Sequence, residues 1–189
     1  MGLDINLATN NSDILFDGDY HERYFYRHSL SRTFCHLMCR RDVITTGQPE
    51  LDQVGKLTGV DISHFYAMND FPDEEGLEFF ISMAGSEEEK QSILTNAANS
   101  KAKLQGNIGT ITDTINQLIE KLTPINNLPT LLASPDFDTL NNQEYFAAFT
   151  TNKGDGYIGN NFGQDLRNFK SFLNYARSKG ATTVYFRYG

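Results

Sequence analysis

Between residues 104 and 122 apolar side chains return with a rhythm that only a helix can use well. Leu104, Ile108, Ile111, Ile115, Leu118 and Leu122 follow at spacings of 4, 3, 4, 3 and 4, which sets all six on one stripe and leaves that stripe needing a partner surface. The partner is either the rest of the chain or a second copy, so self-association through these six residues is carried forward as an expectation. Upstream, Ser86 and Glu89 match a capping box, and Glu87, Glu88 and Glu89 suit the positive end of a helix. A long helix is therefore predicted within residues 86–122. Gly106 and Gly109 each weaken a helix by about 1 kcal/mol relative to alanine, so they mark either a break or a place where another backbone comes close. Pro124 ends the segment.

Both ends of the sequence read as strands. Leu3, Ile5 and Leu7 alternate with Gly2, Asp4 and Asn6, and Thr182 to Tyr188 is β-branched and aromatic. We expect the two to share a sheet. Between them, a helix is predicted over His21–Arg40, with Phe25, Leu30, Phe34, Leu37 and Met38 inward. A shorter one is predicted over Gln48–Thr58, with Pro49 at its start and Gly59 just past its end. Residues 60–84 read as largely irregular, because Pro72, Gly76 and an Asp-Glu cluster interrupt the apolar residues, and Leu77–Met83 fits either a strand or a helical turn. Short turns are expected over 128–142, then a strand over Glu144–Thr150. A last helix buries Leu166, Phe169, Phe172, Leu173 and Ala176 and stops at Gly180. No repeat or linker divides the 189 residues. The expectation is one α+β domain over residues 1–189, its terminal strands in one small sheet packed against several helices.

Composition narrows the function. With 39% hydrophobic and 21% charged residues, the chain has enough apolar surface to offset the entropy of ordering it. Asp and Glu number 24 against 16 Lys and Arg, for a net charge of -8, which repels phosphate backbones and argues against nucleic acid as a partner. The charge is uneven: Arg23, Arg27, Arg32, Arg40 and Arg41 share one aromatic-rich stretch, while acidic residues gather at 61–89 and 136–144. No apolar run reaches the roughly 18 residues of a membrane span and no secretory leader is legible, so a cytoplasmic location is expected. Cys35 and Cys39, four apart on a predicted helix, point side by side, poorly placed for a disulfide, and are expected as free thiols in the core. His28 would share their face, and thiolate with imidazole is zinc chemistry. Structural zinc sites pair ligands from separate segments, however, so no metal is expected.

Gly154-Asp155-Gly156-Tyr157-Ile158-Gly159 matches the G-x-G-x-x-G pattern of a phosphate cradle before a helix. A dinucleotide site also needs an acidic residue about 20 positions later, and none follows Asp165. Read instead as a calcium loop, the stretch would put Lys153 at a ligand position and Phe162 where a glutamate should close the cage. A plain glycine-rich connection is the expectation, with no cofactor. Arg23, Tyr24, Arg27, His28 and Arg32 interleave guanidinium groups with rings and could clamp an anion or stack on a base. The ligand-binding candidates are thus Arg23, Tyr24, Arg27, His28, Arg32, Gly154, Gly156 and Gly159. Ser29, Ser31 and His28 form no nucleophile elbow, and no catalytic residue is legible.

The opening Met-Gly-Leu-Asp-Ile-Asn-Leu, the aromatic-arginine run Tyr24–Arg27 and the closing stretch Asn168–Tyr188 resemble small phage and bacterial proteins that begin Met-Gly-Leu-Asp-Met-Tyr-Leu. Asn6 stands where those proteins carry an aromatic residue. The resemblance implies a phage or mobile-element accessory protein and carries over no activity and no site residues. The leading functional expectation is a soluble, non-enzymatic protein-binding factor of inhibitor or immunity type, whose acidic surface engages a basic protein. One alternative is a small enzyme or binder that takes a phosphorylated or nucleotide ligand between the glycine loop and the arginine-tyrosine-histidine helix. The other is a self-associating structural module.

Overall fold

A computed structural model describes residues 4–11, 30–69, 74–135, 140–154 and 156–189. In chain order the described elements are β1 (Ile5–Thr9), α1 (Arg32–Val43), α2 (Glu50–Thr58), α3 (Ser63–Asn69), α4 (Glu74–Met83), α5 (Glu87–Leu104), α6 (Ile108–Leu122), α7 (Leu128–Leu131), α8 (Asn142–Tyr145), α9 (Phe162–Ser178) and β2 (Val184–Tyr188). The fold class is α+β, as the sequence predicts.

The two terminal strands pair antiparallel, from Ile5 opposite Tyr188 to Thr9 opposite Val184. Backbone bonds carry the ladder past both ends: Asp4 and Gly189 exchange N–H···O bonds, and the Asn10 amide donates to the Thr183 carbonyl. Ile5, Leu7, Val184 and Phe186 turn to the buried face. A two-stranded ribbon is marginal alone, and this one is held by an aromatic nucleus beneath it. Phe34 of α1, Phe169 of α9 and Phe186 of β2 meet pairwise with ring centroids 5.8–6.3 Å apart, and Phe65 of α3 stacks on Phe169 at 5.8 Å. A single apolar core runs from Ile5 to Phe186.

The predicted long helix is two helices. Ser86 caps α5 as expected, its hydroxyl accepting from the Glu89 amide, and the Glu89 carboxylate closes the box by accepting from the Gly85 amide. The helix stops at Leu104, and α6 restarts at Ile108 after Gly106 turns through a φ of +75°. The break docks on β2. Asn107 accepts from the Val184 amide and donates to the Val184 carbonyl, both at 2.8 Å, the Gly106 amide donates to the Thr183 hydroxyl, and the Ile108 amide donates to the Thr182 carbonyl. The start of α6 thus supplies the free edge of β2 with substitute ladder bonds, which serves that edge as a further strand would. All six residues of the 104–122 stripe are buried, with α6 against α9, α2 and α3. Leu104, Ile108, Ile111, Ile115, Leu118 and Leu122, the residues named for self-association, are thus covered by the chain's own elements.

Other differences have local causes. The predicted helix over 21–40 does not run through its middle: Leu30 is not helical, and α1 starts afresh at a cap where the Ser31 hydroxyl accepts from the Phe34 amide. Residues 12–29, including Arg23, Tyr24, Arg27 and His28, lie outside the described residues. The span read as irregular, 60–84, contains α3 and α4. The strand predicted over Glu144–Thr150 is instead the helical turn α8 followed by further turns. Tyr145, Phe146 and Phe149 are all buried there, a spacing that fits a helical turn and no strand. Arg40, one of the five clustered arginines, is 1% exposed and forms a two-bond ion pair with Glu50, Nε to Oε2 at 2.9 Å and Nη2 to Oε1 at 2.8 Å. The planar fork of the guanidinium matches the carboxylate and ties α1 to the first turn of α2.

Candidate functional site

The starts of α1 and α9 converge. Ser31 caps α1 and Asn161 caps α9, where its side-chain oxygen accepts from the Gln164 amide. Thr33 bridges the two beginnings through a 2.7 Å hydroxyl bond to the Asn160 side chain. Between them lies Asp165, fully buried in the first turn of α9. One carboxylate oxygen accepts from the Ser31 amide at 2.8 Å, and the other accepts from the Ser31 hydroxyl at 2.7 Å and the Tyr145 hydroxyl at 2.9 Å. Burial pushes the Asp165 carboxyl up to about 7, against the three hydrogen bonds, which favour its ionised form. Burial, then the facing carboxylate, keeps the Tyr145 phenol protonated far beyond its usual range. Ser31, Tyr145 and Asp165 are each at most 1% exposed, so no substrate reaches them. Chemically the cluster is a staple that joins two helix starts to α8.

The glycine loop is tied down from inside. Gln164 accepts from the Lys153 amide and donates to the Gly154 carbonyl and to Asn168, which in turn donates to the Tyr157 carbonyl. Gly154 and Gly156 take φ values of +95° and +80°, a conformation glycine adopts without strain. At Gly159 a Cβ would lie 2.3 Å from the Tyr157 ring, so a larger residue there requires that exposed side chain to move. The tightest approach in this region is at Gly163, where a Cβ would lie 2.1 Å from the Phe149 carbonyl oxygen. Arg167 fixes the same stretch by donating to the Phe149 and Thr151 carbonyls. The loop therefore serves close packing of α9 against the 149–151 turn, and Gly163 was missed because the motif pattern ended at Gly159. Arg32, the described member of the arginine candidates, sits exposed at the first position of α1 and pairs with Asp4 at 3.1 Å.

Cys35 and Cys39 are free thiols, the first buried and the second half-buried. Burial raises both, Cys35 to about 12, so they stay protonated and hold little ligand or nucleophile character. Among the described residues no group of three His, Cys, Asp or Glu side chains could hold a metal ion, and no helix is long and apolar enough to cross a membrane. A shallow depression beside α2 and α3 is lined by Arg41, Asp52, Lys56 and Tyr66, whose polar groups are already engaged. Arg41 lies 4.8 Å over the Tyr66 ring, Tyr66 donates to Asp52, and Lys56 donates to Gln48.

A different surface is left open. α4 and α5 form a helical hairpin linked by residues 84–86, and none of the described side chains of α4 is buried. Leu77 and Ile81, four apart, are half-buried, and α4 packs mainly against α5. Phe79, Phe80 and Met83 occupy other faces of the helix and are 59%, 61% and 70% exposed. Phe79 and Phe80 meet edge to face at 5.8 Å. α4 therefore has more apolar circumference than α5 covers. Leu94 on α5 adds a fourth exposed apolar side chain to the hairpin.

The hairpin that carries this patch is rich in carboxylates. Between residues 74 and 104 the chain has six glutamates and three lysines, and Lys101 and Lys103 sit in the last turn of α5, at the far end from the hairpin turn. Lys90, near the turn, is paired with Glu87 at 2.7 Å. Glu88 is held below the usual carboxylate range by hydrogen bonds from its own amide and the Ser86 hydroxyl. Glu78 and Glu88 form no ion pair among the described residues. A signal for this surface was present in the sequence: Leu77, Phe80 and Ile81 have helical spacing, and Phe79 with Met83 forms a second stripe that a ten-residue helix on an outer edge cannot bury on the same side.

No family model, no curated protein and no solved structure matches this chain.

Proposed function

We propose that this chain is a non-enzymatic protein-binding factor and that the exposed face of the α4–α5 hairpin is where its partner docks. The carrying observation is the exposure of Phe79, Phe80 and Met83 on a helix with no buried described side chain. Isolated exposed apolar residues are ordinary, but a contiguous group with two phenylalanines in ring contact marks an interaction surface. The sealed Asp165 cluster and the internally tied glycine loop support the same reading, since each spends its polar groups on the chain itself. The protein would act in the cytoplasm, where Cys35 and Cys39 remain thiols.

Photo-crosslinking in the producing cell tests this. A photoreactive amino acid replacing Phe80 should give one dominant crosslink to another protein, and the same group replacing Gln117, exposed on α6, should not. Equal, diffuse labelling from both positions would sink the proposal.

A further inference from the structure

The partner's chemistry follows from the rim of the patch. We infer that the α4–α5 face receives a basic amphipathic helix, one whose apolar stripe meets Phe79, Phe80 and Met83 and whose lysines or arginines meet Glu78 and Glu88. The inference rests on the docking surface proposed above and adds the identity of what docks. Three other occupants are disfavoured by charge. A second copy would bring the same glutamates against one another on a chain of net charge -8, and like-charge juxtaposition opposes such contacts. Nucleic acid and anionic membrane would meet that same field, whereas a cationic helix is steered by it. The apolar part has the dimensions of a helix contact. Phe79 and Met83 are four residues apart and Phe80 adjoins both, so the patch is one turn of helix long and matches partner side chains at helical spacing. With three large apolar side chains the contact is small, which places it among transient interfaces.

The test uses the full chain and two designed peptides of equal length and helicity. Both present the same leucine stripe, one on a lysine background and one on a glutamate background. Fluorescence anisotropy at low salt should show the lysine peptide binding at least about tenfold more tightly than the glutamate peptide, with the preference shrinking as salt screens it. Two double variants are compared, F79S/F80S and E78K/E88K, with D113K/E120K on the exposed face of α6 as a control of equal charge change. Circular dichroism and thermal melts confirm that each is folded; Met83→Ser serves as the apolar variant if F79S/F80S is not.

Support consists of lysine-peptide affinity lost about tenfold in both hairpin variants and largely kept in the control. If both peptides bind alike and F79S/F80S abolishes both, the face is a docking surface but the basic partner is overturned. If the control weakens the lysine peptide as much as E78K/E88K does, the attraction is diffuse and the inference falls. A concentration-dependent dimer in sedimentation, lost in F79S/F80S, assigns the face to a second copy and overturns the inference as well. If neither peptide binds, the basic-helix assignment is overturned, and the crosslinking experiment decides separately whether the face docks a protein at all.

Discussion

Asp165 is a carboxylate placed where burial and hydrogen bonding oppose each other. Ionised, it satisfies three donors from Ser31 and Tyr145 near the starts of two helices; protonated, it escapes the cost of a charge with no exposed surface. Burial dominates and sets the folded value at about 7, against 3.8 for an ordinary aspartate. Because the folded value is raised, the folded state holds its proton more tightly than the unfolded chain between these two pH values. This contribution to stability is complete below about pH 4, falls as pH rises through that window and is lost above 7. Asp165→Asn has no proton to lose and can still accept from the Ser31 amide. We expect its stability relative to wild type to improve by about 3 kcal/mol between pH 5 and pH 8, measured by urea denaturation at each pH. A difference independent of pH would show that Asp165 is ionised throughout.

At the scale of elements, the two glycines of the 104–122 segment separate cleanly. Gly106 has a φ of +75° and open space where a Cβ would point, so its conformation alone demands glycine. Gly109 also has open space, but it sits within α6 with no positive φ. Gly106→Ala should therefore lower stability by about 1–2 kcal/mol, from left-handed strain in the turn that docks Asn107 on β2. Gly109→Ala should raise it by about 0.5–1 kcal/mol, through helix propensity. Denaturant midpoints of the two variants should move in opposite directions. Both glycines look alike in the sequence, because a one-dimensional pattern shows that a helix is weakened and not whether the backbone turns. The same limit explains the rest of what was and was not legible. Period two at the termini and the stripes of α6 and α9 were readable because each faces one core. α4 was legible only as either a strand or a helical turn, because its apolar residues lie on two sides and only one is covered. Asp165, Arg40 and Glu50 were not readable, since each looks like a surface charge until a partner from another element is placed beside it.

For the whole molecule, the sheet makes the two ends depend on each other. β1 has no strand partner among the described residues but β2, and β2 also supplies the groups that dock the start of α6. Removing residues 182–189 would strip β1 of its ladder, leave both polar groups of the Asn107 side chain without Val184, and uncover Phe34 and Phe169 where Phe186 now packs. Val184 and Phe186 alone contribute about 1.5–3 kcal/mol each by burial. Those losses fall on a domain whose total margin is typically about 5–15 kcal/mol. The shortened chain should therefore lose its cooperative thermal transition and exchange its α6 amides rapidly, as followed by calorimetry and hydrogen exchange. The α4–α5 hairpin sharpens this prediction, since it packs away from the sheet and spends few of its side chains on the core. F79S/F80S should leave the melting temperature nearly unchanged while the truncation abolishes the transition. A truncated chain that still melts cooperatively near the wild-type temperature would mean that the helices hold the core without the sheet, and the dependence of the two ends would be refuted.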